Sequence, residues 1–216
     1  MKSCHALGAK LLESFALDMG LATDFFTSKH NYDQQQSSVL RLLYYPSINS
    51  NEFSSNTNMR AGSHSDYGTC TFLFQKDIGG LQILLPSTLS DPGPTWLDVP
   101  VIEDGILVNV GDLFDFWTGG KFKSTQHRVV APRTAAEAQG RFSIAYFLHP
   151  ADSERLVQIP LESDTGLDAK DERSALRRFG IPADAELTAK EWLLRRLGPT
   201  YSERKAAPTQ MGDVVA

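Results

Sequence analysis

The stretch His64–Gln75, HSDYGTCTFLFQ, sets a histidine and a carboxylate two positions apart at the head of a run that reads as a β-strand. Side chains alternate faces along a strand, so His64 and Asp66 can project the same way and hold one object between them. A His-x-Asp pair alone is a weak signal, because short polar pairs are common where a strand meets a loop. Its meaning comes from the sequence around it.

Similar β-like runs surround this one: SVLRLLYY (38–45), GLQILL (80–85), TWLDVP (95–100), ILVNVGD (106–112), STQHRVVA (124–131) and RFSIAYFLHP (141–150). Many short strands punctuated by Gly, Pro, Asn and Asp predict a mainly β sandwich or barrel, not alternating β-α units. The polar, turn-rich segment 47–63, SINSNEFSSNTNMRAGS, reads as a loop that delivers the chain to His64. Before the strands, Leu7, Leu11, Phe15 and Met19, with Leu12 beside them, form an apolar stripe at helical spacing. After them, KDERSALRRFG and LTAKEWLLRRLGPTYSERK predict two helices, the second capped by Thr188 and stopped at Gly198. The predicted organisation is a helical segment over 1–37, a β domain over 38–160, helices over 161–205 and a flexible tail over 206–216.

Composition excludes several classes. The chain has 216 residues, 41% hydrophobic and 22% charged, enough for one globular domain with a core. A net charge of -5 argues against nucleic acid as a partner. Cys4 and Cys70 are too few for a disulfide scaffold, which fits a reduced, cytoplasmic setting. No stretch has the length and apolarity of a membrane span, and Lys10, Glu13 and Asp18 interrupt the N-terminus where a signal peptide would be apolar.

A metal site needs a third ligand, and His5, His30, His127 and His149 are the candidates. His5 and His30 flank the first helix, where solvated or capping roles are expected, and His149 closes a strand before Pro150. His127 lies on a separate predicted strand, from which it can face His64 and Asp66 across a barrel interior. Two imidazoles and one carboxylate on one face of an ion leave three positions open, the arrangement of non-haem Fe(II) oxygenases. On the next strand Arg141 and Ser143 share a face, where a guanidinium fork and a hydroxyl can bind a carboxylate. Asp112, in VNVGD, reads as a backbone-bonding turn residue, and Phe72, Phe74, Phe142, Tyr146 and Phe147 as core and pocket wall.

In order along the chain, LLYYP (42–46), HSDYGTCTFLFQ, GGLQIL (79–84), VNVGDLFDFWTGGKFKSTQHRV (108–129) and RFSIAYFL (141–148) resemble the iron and 2-oxoglutarate-dependent oxygenases of the isopenicillin N synthase-like type, in their catalytic domain. The resemblance implies a double-stranded β-helix, a jelly-roll variant. It implies His64, Asp66 and His127 as iron ligands. Arg141 and Ser143 become the clamp on the distal carboxylate of 2-oxoglutarate, with Tyr45 a further donor to it. Fe(II), 2-oxoglutarate and O2 are then the cofactor and cosubstrates, and a small molecule is hydroxylated, desaturated or cyclised with release of succinate and CO2. Leu43 stands where plant members carry an asparagine.

The same resemblance leaves two alternatives. One is a cosubstrate-free oxidase whose Arg-x-Ser pair holds the substrate's own carboxylate; the other is an inactive homologue acting as a binding protein. Related enzymes also carry a longer N-terminal region packed on the barrel. A chain beginning in the helix after it is expected to expose apolar surface and self-associate.

Overall fold

The structure, a computed structural model, describes residues 1–48, 59–85, 93, 95–135, 137–159 and 186–206, with side chains of the last segment described to Gly198. Helix α1 (Lys2–Asp18) is followed by strands β1 (Val39–Tyr45), β2 (Met59–His64), β3 (Cys70–Gln75), β4 (Leu81–Leu85), β5 (Thr95–Asp98) and β6 (Ile106–Val110). Helix α2 (Asp112–Trp117), strands β7 (His127–Val130), β8 (Arg141–Leu148), β9 (Arg155–Leu156) and β10 (Leu187–Thr188), and helix α3 (Ala189–Ala206) complete the order. One four-stranded sheet has the order β1-β8-β3-β6, a second has β2-β7-β4-β5, and β9 pairs with β10. All pairings are antiparallel. This is the double-stranded β-helix expected from the sequence.

Each of the seven sequence runs contains one of the strands. In the first sheet, alternation sends Leu43, Thr71, Leu73, Asn109, Ser143 and Ala145 to the inner, cavity-lining face. The opposite face is covered at one end by α1. There the packed line is Gly8, Leu12 and Ala16, all buried, while Leu11, Phe15 and Met19 flank it partly buried. Leu7, placed in the stripe by its spacing, is instead exposed. Small residues set the contact line: a Cβ on Gly8 would stand 2.8 Å from Leu148 Cδ2 and 3.4 Å from the Phe72 ring, so glycine lets the helix axis approach the sheet. Leu12, Phe26, Phe114, Trp117, Tyr146, Leu148 and Trp192 form a continuous core of α1, the sheet, α2 and α3.

At the other end the same face is open. Leu42, Tyr44 and Phe142 are exposed, with Tyr44 stacked on Phe142 at 4.5 Å. Phe142 is therefore not core, because its strand position points away from the cavity beyond the reach of α1.

Three other local expectations change. Part of the segment read as loop, Met59–His64, is strand β2, whose pairing with β7 carries register shifts around Ala61; residues 49–58 lie outside the described residues. MRAGSH has no apolar alternation, so its strand character comes from the β7 ladder. Helix α2 was hidden in the sequence because DLFDFW is buried on every side and too short to show a helical period. Thr188 does cap α3, in a reciprocal box: Glu191 N donates to Thr188 Oγ1 at 3.2 Å and Thr188 N to Glu191 Oε2 at 2.8 Å. Gly198 does not stop that helix, which continues to Ala206 because Gly198 does not adopt the positive φ of a helix-ending glycine. The KDERSALRRFG helix and the tail beyond Ala206 fall outside the described residues.

Candidate active site

His64, at the end of β2, pairs in register with His127 at the start of β7, and their rings lie 4.4 Å apart between centroids. Asp66 follows in the link to β3. Its Oδ1 lies 3.9 Å from His64 Nε2 and 3.7 Å from His127 Nε2. One ligand atom from each residue fits within 4.8 Å of the others, which among the described residues makes this the one such cluster.

The second atom of every candidate ligand is already engaged. His64 Nδ1 lies 2.7 Å from the Gly62 carbonyl and His127 Nδ1 3.1 Å from that of Thr125. An N–H at Nδ1 donates to each carbonyl, which leaves both Nε2 atoms as lone-pair donors. Asp66 Oδ2 accepts from Thr71 Oγ1 at 2.7 Å and from Asn109 Nδ2 at 3.0 Å, so Oδ1 is the oxygen turned to the histidines. Thr71 and Asn109 are register partners on β3 and β6. Two nitrogens and one oxygen, oriented by their neighbours and accessible from one side, fit a divalent iron.

The three residues share a cavity of about 630 Å³, counting space open to solvent, with Arg141, Ser143 and Tyr45. Arg141 begins β8 opposite Tyr45 and is 1% exposed. Its Nη1 donates to Ser143 Oγ at 3.2 Å and its Nη2 to Gln75 Oε1 at 2.9 Å, while Nε has no hydrogen-bond partner. The Tyr45 ring lies 5.4 Å from the guanidinium carbon. Burial pushes the guanidinium pKa below its ordinary value, and both bonded acceptors are neutral. A buried cation of this kind is costly without an anion, and the cavity is the open direction from which one can come. Leu73, Leu81, Ile83, Leu107 and Val129 supply apolar wall to the same cavity.

The remaining histidines do not join the site. His30 is buried rather than solvated, with Nδ1 on the Phe26 carbonyl at 2.7 Å and Nε2 on Thr69 Oγ1 at 2.8 Å; burial lowers its pKa to about 3. His5 lies within α1, edge-on to Tyr32 at 5.1 Å, and neither caps a helix nor stands free in solvent. His149 is buried beneath Gly68, and burial lowers its pKa to about 4. Cys70 is inert, buried with its thiol pushed up to about 12. Asp112, expected to be a backbone-bonding turn residue, opens α2 instead, and its Oδ2 accepts from Ser65 Oγ at 2.9 Å and pairs with Arg196, because the helix start carries it against the Asp66 link.

Gln75, which bonds Arg141, and Thr71 and Asn109, which bond the Asp66 carboxylate, do not stand out in the sequence as site residues. Thr71 and Gln75 share strand parity with each other within TCTFLFQ, a signal that a β3 inner face could have carried.

With that geometry in place, the comparisons assign the class. The chain belongs to the 2OG-Fe(II) oxygenase superfamily, whose family model matches residues 36–150; its members use Fe(II), 2-oxoglutarate and O2. It is 37% identical over 200 residues to the UPF0676 protein C1494.01 of Schizosaccharomyces pombe, covering 93% of this chain and 54% of that protein. It is 38% identical over 153 residues to the proline hydroxylase buaE of Petromyces alliaceus, covering 68% of this chain and 45% of that one. A full-length Neurospora crassa protein, solved in complex with alpha-KG and 5-formyluracil, superimposes with a TM-score of 0.74 at 32% identity, over 92% of this chain and 57% of that one. The chain spans about half the length of the curated relatives it matches. Among the described residues no helix is long and apolar enough to cross a membrane.

Proposed function

We propose that this chain is a 2-oxoglutarate-dependent dioxygenase that oxidises a small metabolite, with His64 Nε2, His127 Nε2 and Asp66 Oδ1 holding Fe(II). Arg141 and Ser143, with Tyr45 beside them, hold the distal carboxylate of 2-oxoglutarate. The observation that carries this reading is Arg141: a buried guanidinium with an unpartnered Nε and only neutral acceptors, on the wall of the cavity that contains the triad.

The residues act by placement. Ser143 and Gln75 fix the plane of the guanidinium, so its remaining donor surface faces a carboxylate. The apolar wall keeps water from competing for that ion pair. Thr71, Asn109 and the two backbone carbonyls keep the ligand atoms oriented. Bound at the triad, Fe(II) supplies the oxidation of 2-oxoglutarate and of the metabolite by O2, with succinate and CO2 as coproducts.

The catalytic unit in this reading is 38–160, flanked by the 1–37 segment and by the C-terminal segment from 161. A small organic substrate, and a place in secondary metabolism, are supported by the relatives named for their chemistry, such as the proline hydroxylase. Hydroxylation, desaturation and cyclisation are the outcomes such a site serves. Cys4 and Cys70, both free thiols, support a cytoplasmic setting. Self-association through the exposed end of the first sheet is supported by Leu42, Tyr44 and Phe142.

The test is uncoupled turnover. Purified protein given Fe(II) and 2-oxoglutarate in air is expected to consume O2 and release succinate, with both lost in His127→Ala. No O2 uptake under any substrate screened would make the chain a binding protein. O2 uptake without succinate would make it a cosubstrate-free oxidase.

A further inference from the structure

Asp66 lies in a link, Ser65 to Thr69, that belongs to no strand. Its carboxylate is tied to the sheet through Thr71 and Asn109, but its backbone is tied elsewhere. Asp112 N donates to the Asp66 carbonyl at 2.7 Å, and Asp112 Oδ2 accepts from Ser65 Oγ at 2.9 Å. Trp192 Nε1 donates to the Tyr67 carbonyl at 2.9 Å. Arg196 pairs with Asp112 Oδ2 and sets its guanidinium 5.2 Å over the Tyr67 ring. Three consecutive residues, 65, 66 and 67, are thus gripped from one side, and two of the gripping side chains come from α3.

The grip is buried. Asp112 and Trp192 are 0% exposed, and Trp192 stacks on Phe116 of α2 at 5.1 Å. It is also close-packed at its base: a Cβ on Gly111 would stand 2.2 Å from the Gly68 carbonyl oxygen, so the start of α2 and the Asp66 link touch backbone to backbone. Only the Asp112 end of the ion pair is buried, so the pair offsets a charge that would otherwise stand alone there and, while formed, holds Asp112 against the Asp66 link. Here the geometry it fixes is that of the link carrying Asp66.

We propose that Trp192 and Arg196 are positioning residues for the metal site: α3, which lies outside the family-matched 36–150 segment, holds residues 65–67 so that Asp66 Oδ1 meets His64 and His127. The inference rests on the proposed metal site. It assigns to the C-terminal helix a part in metal affinity in addition to its packing.

The test is Mn(II) binding, followed by the electron paramagnetic resonance of the free ion, without 2-oxoglutarate, on the full chain. Trp192→Phe keeps an aromatic ring against Phe116 and removes the bond to Tyr67. The double variant Arg196→Met with Asp112→Asn removes the ion pair without leaving a lone buried charge, and retains an acceptor for Ser65. Both are expected to raise the Mn(II) dissociation constant about tenfold or more, the range lost when outer supports of metal ligands are removed. Arg196→Lys is expected to recover part of the parent affinity as a point charge. A purely structural role would lower the thermal midpoint and leave the dissociation constant, measured well below that midpoint, where it was. Folded variants that bind Mn(II) as the parent does would overturn the proposal. If instead the parent fails to bind, or His127→Ala binds as tightly as the parent, the metal reading itself falls and the positioning role with it.

Discussion

Asp66 shows how one side chain is divided between structure and chemistry. Its Oδ2 is held by Thr71 and Asn109 while its Oδ1 faces both histidines. Removing one support by the near-isosteric Thr71→Val should weaken Fe(II) binding by roughly tenfold without disturbing the strand, because the lost hydroxyl is replaced by a methyl of similar size. An anaerobic Fe(II) titration reads this, and unchanged affinity would mean that the bond to Thr71 only stabilises the fold. Arg141 makes a complementary case. Arg141→Lys loses the planar fork but keeps the charge, so 2-oxoglutarate binding should weaken by about 1.5–3 kcal/mol, roughly ten- to a hundredfold. Calorimetry with the metal-loaded protein under nitrogen checks it, and Fe(II) affinity measured alone should stay within twofold, roughly the scatter expected of a residue that touches no ligand. An unmoved 2-oxoglutarate constant would place the clamp elsewhere.

At the scale of elements, α1 illustrates a balance between helix propensity and packing. Gly8 in mid-helix costs the isolated helix roughly 1 kcal/mol relative to alanine, yet it permits contact with Leu148 and Phe72. Gly8→Ala therefore trades a propensity gain against a displaced Leu148 methyl. Gly8→Val adds branched volume for a smaller propensity gain. The valine variant should lose about 1–3 kcal/mol, as overpacked cores do. Urea unfolding decides it: a valine variant as stable as the parent would show that α1 stands off the sheet in solution.

The whole molecule carries an acid sensitivity that no single element explains. His30 and His149 are buried from different segments, with pKa values lowered by burial to about 3 and about 4. In the unfolded chain each titrates near its ordinary value of about 6.5. Above that pH both states hold the neutral ring, and the fold has its full stability. As pH falls below it, the unfolded chain takes up protons that the folded chain refuses. Stability then drops by up to about 1.4 kcal/mol per pH unit for each histidine, until the folded pKa is reached. Urea midpoints at pH 7.5 and 5 should therefore separate, and His30→Gln should narrow the gap. An equal gap in the variant would show that other groups drive the acid response.

The open end of the first sheet is the second property of the whole. Leu42, at 77% exposed, Phe142, at 63%, and Tyr44, at 57%, lie on adjacent strands and one face. Such a patch favours association of copies. Sedimentation at micromolar concentration should show a species larger than one chain, and Phe142→Glu should shift it toward the monomer. A monomeric parent would mean that the patch is tolerated in water.

Features set within a few residues are legible from local pattern alone. The strands CTFLFQ and RFSIAYFL, the shared face of Arg141 and Ser143 on β8, and the Thr188 cap are encoded within a few residues and appear in the structure as read, whereas His64 and Asp66 do not share a strand: His64 ends β2 and Asp66 lies in the link to β3. Tertiary structure decided everything that depends on a partner far along the chain. His127 becomes a neighbour of His64 through the β2–β7 register. Thr71 and Asn109 reach one oxygen of Asp66 because β3 and β6 pair at those residues. His30 turns from a candidate for a solvated or capping role into a buried ring that bonds Thr69, distant in sequence, and lies beside Trp117. Phe142 lies outside the core and Leu7 outside the packed stripe, because apolar character shows that a residue gains by burial, not that an element arrives to bury it. The physical reason is the same throughout. Periodicity constrains which way a side chain points, whereas what it meets there is set by register and packing between segments that no local pattern brings together.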